Sequence, residues 1–311
     1  MLEWMNHLTS KVVPPSERAY YQGLTEAYNL ASQKLLATDS VLTKARLNKI
    51  IREITDELYA INAQFKSVLP YDVIQITEAN VAYLNQELQL TLKTDAVIIA
   101  LPTEAIKKIA NISAIDFYRI NADGVRIQSS TTVEQMLNSI AKNNAQKVRG
   151  IILAEYASGS SMPTIVSKLS KIFKNDNKQH IRTVTRTLLT EASSKAQQEF
   201  YSDNSNVIDG YIYSAVLDSS TSRLCASLDG KRFKTRRAWY TPPLHPNCRS
   251  MLIAVPDGYE VGQRPIVLKD GTVEVVKDKN FTYADALKRY PQLSNKKLIN
   301  VDQYINGLGM V

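Results

Sequence analysis

The first third of the chain alternates apolar and polar positions with the period of an α-helix. Residues 16–36 and 40–66 predict two helices, and residues 73–94 continue in the same style. Within the second helix one apolar stripe recurs at spacings of three and four residues: Leu47, Ile50, Ile54, Leu58, Ile61 and Phe65. Such a stripe is typical of a buried helix face. The sequence predicts a helical bundle or arm here, whose stripes either pack on each other or bind a partner.

The pattern changes between residues 95 and 130. The short apolar run DAVIIAL precedes a helical turn or two at PTEAIKKIA, and FYRINADGVRIQ predicts a hairpin that turns at residues 122–124. A domain boundary is expected in this region.

A second group of helices follows the hairpin. Thr131 and Glu134 form a capping-box pattern, which predicts that a long helix starts there and runs to about residue 156. Two more helices are predicted over 162–174 and 178–202.

Beyond residue 210 the pattern favours strands. GYIYSAVLD at 210–218 and MLIAVP at 251–256 predict two paired strands, and PIVLKDGTVEVV predicts a hairpin over Asp270 and Gly271. Asp229 and Gly230 predict a tight turn between the paired strands. Two short helices are expected at the end, over residues 282–290 and 295–306.

These elements predict an α+β fold, in which a mainly helical N-terminal portion precedes a small C-terminal α+β module with a short antiparallel sheet. Three regions are expected: a helical docking region over residues 1–130, a core of helices and sheet over 131–256, and a C-terminal hairpin with short helices over 257–311.

The composition is that of an ordinary folded protein. The 311 residues are 44% hydrophobic and 22% charged, and no apolar run approaches the roughly 20 residues of a membrane span. The first residues lack a positive segment ahead of an apolar stretch, so we expect no secretory signal. Two cysteines cannot build a disulfide framework, which favours free thiols or metal ligands.

The charge is unevenly distributed. The net charge is +8, but residues 1–90 carry 8 Lys and Arg against 10 Asp and Glu, so the remainder carries about +10. On the helix over 178–202, Lys178, Arg182 and Arg186 share one face, which is either a solvated face or a phosphate contact. A second basic segment interleaves cations with aromatic residues and is either a DNA contact or an exposed hairpin arm. Its cations are Lys231, Arg232, Lys234, Arg236 and Arg237.

Four residues with metal-binding side chains flank the paired strands: Asp218, Cys225, His245 and Cys248. Pairing of the strands would bring them to one edge of the sheet, where they could hold zinc. The alternative is a buried thiol pair with a histidine that braces a turn. Nucleophilic catalysis fits poorly, because Cys248 and His245 lie three residues apart on a proline-stiffened segment. The chain also lacks GxxxxGK[ST] and HExxH.

Three segments, in order, resemble the Mu F-like phage head morphogenesis family, the minor capsid proteins of tailed bacteriophages. They are TRTLLTEASSKAQQEF at 185–200, YSAVLDSSTSRLCASLDGKRF at 213–233 and PPLHPNCRSMLIAV at 242–255. In that family an R-x-x-x-x-E helix leads to a strand, an Asp-x-x-[ST] turn with a Cys, an LDG turn and a PPxHPNCRC-type ending. The matching positions are Arg186, Glu191, Asp218, Thr221 or Ser222, Cys225, Leu228, Asp229, Gly230, Pro243, His245, Pro246, Asn247, Cys248 and Arg249. Six of them are expected to form the structural core of the motif: Glu191, Asp229, Gly230, Pro243, Asn247 and Arg249.

One position departs from that pattern. Many relatives end in CRC, whereas here Ser250 follows Arg249. Any metal site that relied on that last cysteine would lose a ligand in this chain.

The resemblance implies a minor head protein of a tailed bacteriophage, present in several copies per particle and associated with the portal and the inner head. It implies action in head assembly, genome packaging or DNA ejection, with the portal and other head proteins as partners. The expected location is the virion, and the host cytoplasm during assembly, without membrane contact.

We therefore expect a non-enzymatic virion protein that contacts DNA and has no cofactor, with zinc left open. Two alternatives remain. One is a zinc-dependent hydrolase or nuclease used during DNA delivery, and the other is a structural connector without DNA contact.

Overall fold

The computed structural model describes residues 14–37, 43–92, 97–120, 126–173, 177–234, 236, 240–256, 263–278 and 280–302. The fold is α+β, as predicted: a large helical part comes first in the chain and small sheets follow. The helices of the described residues are α1 (Pro15–Leu36), α2 (Lys44–Leu92), α3 (Thr103–Ala110), α4 (Val133–Ala157), α5 (Met162–Lys171), α6 (Asn177–Asp203), α7 (Arg223–Leu228) and α8 (Tyr283–Arg289).

Helix α2 joins two stretches that the sequence predicts as separate elements. It is one helix of 49 residues with Pro70 inside it. The apolar stripe continues across the proline without a change of spacing, because Phe65, Leu69, Val73 and Ile76 are all buried. A proline in a helix interior removes one backbone hydrogen bond and clashes with the preceding turn. Burial of the apolar stripe compensates for this loss of stability.

Helix α4 begins one residue later than its predicted capping box. Strand pairing extends to Thr132, and that residue caps the helix. The Thr132 hydroxyl accepts from Gln135 N at 3.0 Å, and Gln135 Oε1 accepts from Thr132 N at 2.8 Å. The predicted pair of Thr131 and Glu134 is therefore wrong by one position.

Within the described ranges the strands form three small sheets. They are β1 (Ala114–Ile120), β2 (Arg126–Thr132), β3 (Ile208–Ser214), β4 (Leu217–Asp218), β5 (Arg232–Phe233), β6 (Met251–Pro256), β7 (Arg264–Val267) and β8 (Val273–Val276). The first sheet pairs β1 with β2, the second has the order β5-β3-β6, and the third has the order β4-β7-β8. The predicted turn at 122–124 between β1 and β2 lies outside the described residues.

The predicted pairing of the two central strands is confirmed. Strand β3 runs antiparallel to β6, with Ile212 opposite Ile253 and Tyr213 opposite Leu252. However, GYIYSAVLD is not one strand. It leaves the sheet after Ser214, and its last two residues pair in parallel with β7.

Two of the C-terminal predictions are confirmed and one is wrong. The hairpin of β7 and β8 is confirmed, and Gly271 in its turn has φ of +87°. Helix α8 confirms the prediction over residues 282–290. The helix predicted over 295–306 is wrong for residues 295–301, which have no helical structure, and residues 303–306 lie outside the described part.

The described residues divide into two compact units, and in each unit they come from two separate segments of the chain. The helical unit combines Val13–Asp72 with Thr131–Thr185. The mixed unit, which contains the sheets, combines Val73–Ser130 with Arg186–Val311. The motif residues that resemble the Mu F-like family, from Arg186 onward, lie in the mixed unit.

Candidate functional site

Cys225, His245 and Cys248 converge in the mixed unit. The two Sγ atoms lie 3.8 Å apart, and His245 Nε2 lies 3.2 Å from Cys225 Sγ. All three ligand atoms lie within 4.8 Å of one another. Both thiols are fully buried, whereas His245 is partly buried. The structure therefore brings three of the four predicted residues into one cluster, hereafter the Cys–His cluster.

Two different elements carry the cluster. Cys225 lies in the first turn of α7, whose start is capped by the Ser222 side chain accepting from Cys225 N at 3.2 Å. His245 and Cys248 lie on the segment that leads into β6. Tyr213 on β3 donates its hydroxyl to Cys225 Sγ at 3.1 Å, which ties the cluster to the central sheet.

Helix α6 holds the HPNC segment in place. Asn247 has φ of +60°, a conformation that asparagine tolerates better than most residues. Its backbone N–H donates to Thr187 Oγ1 at 2.9 Å, and its side-chain oxygen accepts from Arg186 Nη1 at 2.6 Å. Thr190 Oγ1 donates to Cys248 O at 3.0 Å. These contacts explain why the helix and the HPNC segment occur together in the motif.

The electrostatics of the cluster favour one thiolate. Burial alone would raise the pKa of Cys225, but hydrogen bonds from Cys248 and His245 hold that pKa well below its ordinary value. Burial and the charge on Cys225 raise the pKa of Cys248 well above its ordinary value. Burial would lower the pKa of His245, yet its contact with Cys225 raises it. A metal cation can bind such a thiolate and replace the protons on the His245 imidazolium and the Cys248 thiol.

Asp218 does not join the cluster, contrary to the sequence-based expectation. Its carboxylate accepts two hydrogen bonds from Arg249, at 2.6 and 2.7 Å, and one each from the backbone of Ser220 and Thr221. Burial would raise the pKa of Asp218, but the Arg249 guanidinium lowers it. The Asp218 carboxylate is therefore neutralised by Arg249, the residue that follows Cys248 in the sequence.

Asp229 and Gly230 do more than form a turn. The Asp229 carboxylate accepts from Ala215 N and Tyr283 N, both at 2.7 Å, and pairs with Arg264 through two further bonds. Gly230 has φ of +79°, and a Cβ there would lie 2.6 Å from a Thr282 methyl group. Both residues fix how the central sheet meets the C-terminal segment.

Glu191 and Pro243 line a pocket of about 300 Å³ within the mixed unit, together with Lys195, Arg236 and Asp116. Glu191 pairs with Lys195 at 2.9 Å, and burial raises the Glu191 pKa. The pocket holds charges of both signs, so charge alone does not select a ligand.

The basic residues predicted to contact DNA are divided between the two units. Lys178 and Arg182 belong to the helical unit, where Lys178 lies over the Tyr21 ring and Arg182 lies 3.5 Å from the buried Glu17 carboxylate. The others belong to the mixed unit, and Arg237 lies outside the described residues. The residues of the predicted basic surface therefore do not belong to one unit.

In the mixed unit most of these cations have partners. Lys231 pairs with Asp302 at 2.5 Å, and Lys234 pairs with Asp209 at 2.9 Å. Arg236 donates to Ser194 and lies over the Tyr211 ring. Arg232 is exposed.

Sequence reasoning missed Arg264, the buried partner of Asp229. Its guanidinium also donates to the backbone oxygens of Ala215 and Phe281. It stands 35 positions from Asp229 at the start of a hairpin. No local spacing pattern marks such a pair.

No helix in the described ranges is both long enough and apolar enough to cross a membrane.

Comparisons with curated proteins and with solved structures gave no match. The family model described as Phage Mu protein F like protein matches residues 127–253, which include the Cys–His cluster and the α6 contacts that hold it. The resemblance of the chain to the Mu F-like family is confirmed over these residues.

Proposed function

We propose that the chain is a minor head protein of a tailed bacteriophage that acts in head morphogenesis without catalysing a reaction. The match to the Phage Mu F-like family over residues 127–253 carries this proposal. The proposal includes association with the portal and the inner capsid, and a role in genome packaging or ejection.

The contacts of the motif residues support a structural role. Asn247 is held by α6, Asp229 is enclosed by backbone donors and Arg264, and Asp218 is paired with Arg249. Side chains used in this way position elements of the fold. They are not directed at an open reaction centre, which favours a protein that holds other components.

Particle composition tests the virion assignment. We expect quantitative mass spectrometry of purified particles to find the chain in DNA-filled heads at a constant ratio to the portal protein. Comparing particles before and after DNA release then separates a resident head protein from one that is ejected. Complete absence of the chain from purified heads would overturn the proposal.

Contact with DNA is a separate part of the proposal, supported by the excess positive charge beyond residue 90. Arg232 offers the sharpest test, because it is exposed and has no ion pair within the described ranges. Arg232→Gln should weaken DNA binding and reduce the slope of log affinity against log salt concentration by about one. Arg182 is a poorer choice, because its loss would leave the buried Glu17 without that partner.

Arg289→Gln is the matched control, since Arg289 is an exposed arginine on α8, outside the predicted DNA contacts. The contrary outcome is that filter binding gives the same DNA affinity and the same salt slope for wild type and for variants at Arg232, Lys231 and Lys234. That result would show that the proposal of a DNA contact is wrong. A chain that still binds the portal but not DNA would then be a connector.

A further inference from the structure

We propose that Cys225, His245 and Cys248 bind a zinc ion that fastens the HPNC segment to α7 and to the central sheet. This inference goes beyond the role in the phage head and does not depend on it. It rests on the types, spacing and burial of the three side chains.

The distance between the two sulfur atoms fits a tetrahedral zinc ion. With Zn–S bonds of about 2.3 Å, two sulfur ligands of such an ion lie about 3.8 Å apart. The Cys225 and Cys248 sulfurs are separated by 3.8 Å. Two thiolates and one neutral imidazole are also a donor set that zinc prefers over harder metals such as magnesium or calcium.

The second nitrogen of His245 is oriented as in zinc-binding histidines. Nδ1 lies 2.8 Å from Pro246 O, and because a carbonyl oxygen only accepts, Nδ1 carries a proton. When a metal ion displaces the proton on Nε2, the neutral ring presents the Nε2 lone pair to the ion bound beside the Cys225 sulfur. A backbone carbonyl that fixes the ring in this way is a regular feature of zinc-bound histidine.

Charge balance gives the ion a physical role. Binding releases the proton of the Cys248 thiol and the Nε2 proton of His245, and the two thiolates then neutralise the divalent cation inside a buried site. Three protein ligands leave the fourth position to a water molecule, which can enter beside the partly buried His245. The site therefore needs no cysteine at position 250, where this chain has Ser250.

The ion would connect segments that are distant in sequence. Cys225 belongs to α7, whereas His245 and Cys248 belong to the segment that α6 holds through Thr187 and Thr190. Coordination of one zinc ion by both segments would hold them together in addition to the hydrogen bonds.

Metal analysis of the full-length chain tests the inference. Protein purified without chelator should contain about one zinc ion per chain. Cys225→Ser, Cys248→Ser and His245→Ala should each lose that zinc. His180→Ala is the matched control, because His180 is exposed on α6 in the other unit, and it should keep the full zinc content.

A second measurement covers the case in which the cysteine variants do not fold. The wild-type chain, stripped by a chelator and titrated with Co²⁺, should develop thiolate-to-cobalt charge-transfer absorption and the visible bands of tetrahedral cobalt. Excess Zn²⁺ should then remove these bands, and the melting temperature should rise when either metal is added.

Two results with the wild-type chain would overturn the inference. One is folded wild-type protein that contains no zinc and binds neither Zn²⁺ nor Co²⁺ in the titration. The other is mass spectrometry that finds Cys225 and Cys248 joined in a disulfide in the freshly purified protein. Loss of zinc in His180→Ala to the same extent as in His245→Ala would also exclude this cluster as the site.

Discussion

Asp229 illustrates how much of the mixed unit depends on single buried charges. Its side chain is fully buried, and its two oxygens accept four hydrogen bonds, two of them from Arg264. Arg264 itself is 7% exposed. Each ion therefore depends on the other, since neither can be solvated by water.

Asp229→Asn should lower the free energy of unfolding by about 3–5 kcal/mol, because it leaves the Arg264 charge buried without its counter-ion. Urea unfolding followed by circular dichroism measures this loss. Asp209→Asn is the control, since Asp209 pairs with Lys234 at the surface and such pairs contribute at most about 1 kcal/mol. Equal effects of the two substitutions would contradict the role assigned to Asp229.

Gly210 leads to a second prediction for a single residue. A Cβ at this position would lie 2.8 Å from Phe233 O, where β3 passes β5. Gly210→Ala should therefore cost about 1–3 kcal/mol of stability, as overpacking does. Gly150→Ala, in α4 with nothing within 4 Å of the added Cβ, should instead stabilise by about 0.5–1 kcal/mol. The same urea titrations test both, and a loss at Gly150 with none at Gly210 would contradict the packing described here.

The sequence allowed part of the Cys–His cluster to be predicted. Pairing of β3 with β6 follows from their apolar patterns, and it brings Cys225 near Cys248 and His245. The sequence did not indicate that Asp218 faces Arg249, because the side on which a strand-end side chain points depends on where the strand leaves the sheet. That exit, after Ser214, carries no turn residue that would mark it.

Individual elements were more predictable than their ends. The helical periodicity of α1, α4 and α6 gives their bounds to within a few residues. The break predicted between 66 and 73 was wrong, since Pro70 is a strong local signal and the packing that overrides it is distant. The start of α4 was misplaced because Thr131 and Thr132 are both good capping residues, and only the length of β2 decides between them.

The two threonines also provide a test of that start. Thr132→Ala removes the acceptor for Gln135 N and should cost about 1 kcal/mol of stability. Thr131→Ala is the matched control and should cost less than half as much, because its hydroxyl makes only contacts of 3.5 Å. Thermal or urea unfolding of the two variants shows which substitution lowers the stability more. A larger loss for Thr131→Ala would restore the predicted capping box.

At the scale of the whole molecule, the compact units do not correspond to consecutive stretches of the sequence. A boundary at residue 130 places 13–72 and 131–185 in different parts, although together they form the helical unit. Within it, Asn62 donates to Leu137 O at 2.8 Å, and both groups are buried. Periodicity indicates which face of a helix is buried but not which segment covers it, so this interleaving could not be predicted.

The mixed unit depends on the early segment in the same way. Tyr118 N donates to Leu244 O at 2.9 Å, close to the Cys–His cluster, and Asn204 makes two hydrogen bonds with the backbone of Ile99. Val81, Leu84 and Leu88 on α2 belong to one apolar cluster with Phe200 and Tyr201 on α6. Removal of residues 73–130 would expose that cluster and leave Asn204, which is 1% exposed in the intact chain, without these partners.

We therefore expect residues 131–311, expressed alone, to lack a cooperative melting transition and to aggregate, even though they contain the whole region that matches the family model. Co-expression with residues 1–130 should restore a soluble complex, because each of the two units would then regain both of its segments. Near-ultraviolet circular dichroism and thermal unfolding of the two preparations measure the difference. A soluble fragment 131–311 with a sharp transition and native near-ultraviolet signal would mean that the early segment is an appendage, and that the buried contacts of Asn62, Leu244 and Asn204 contribute little to either unit.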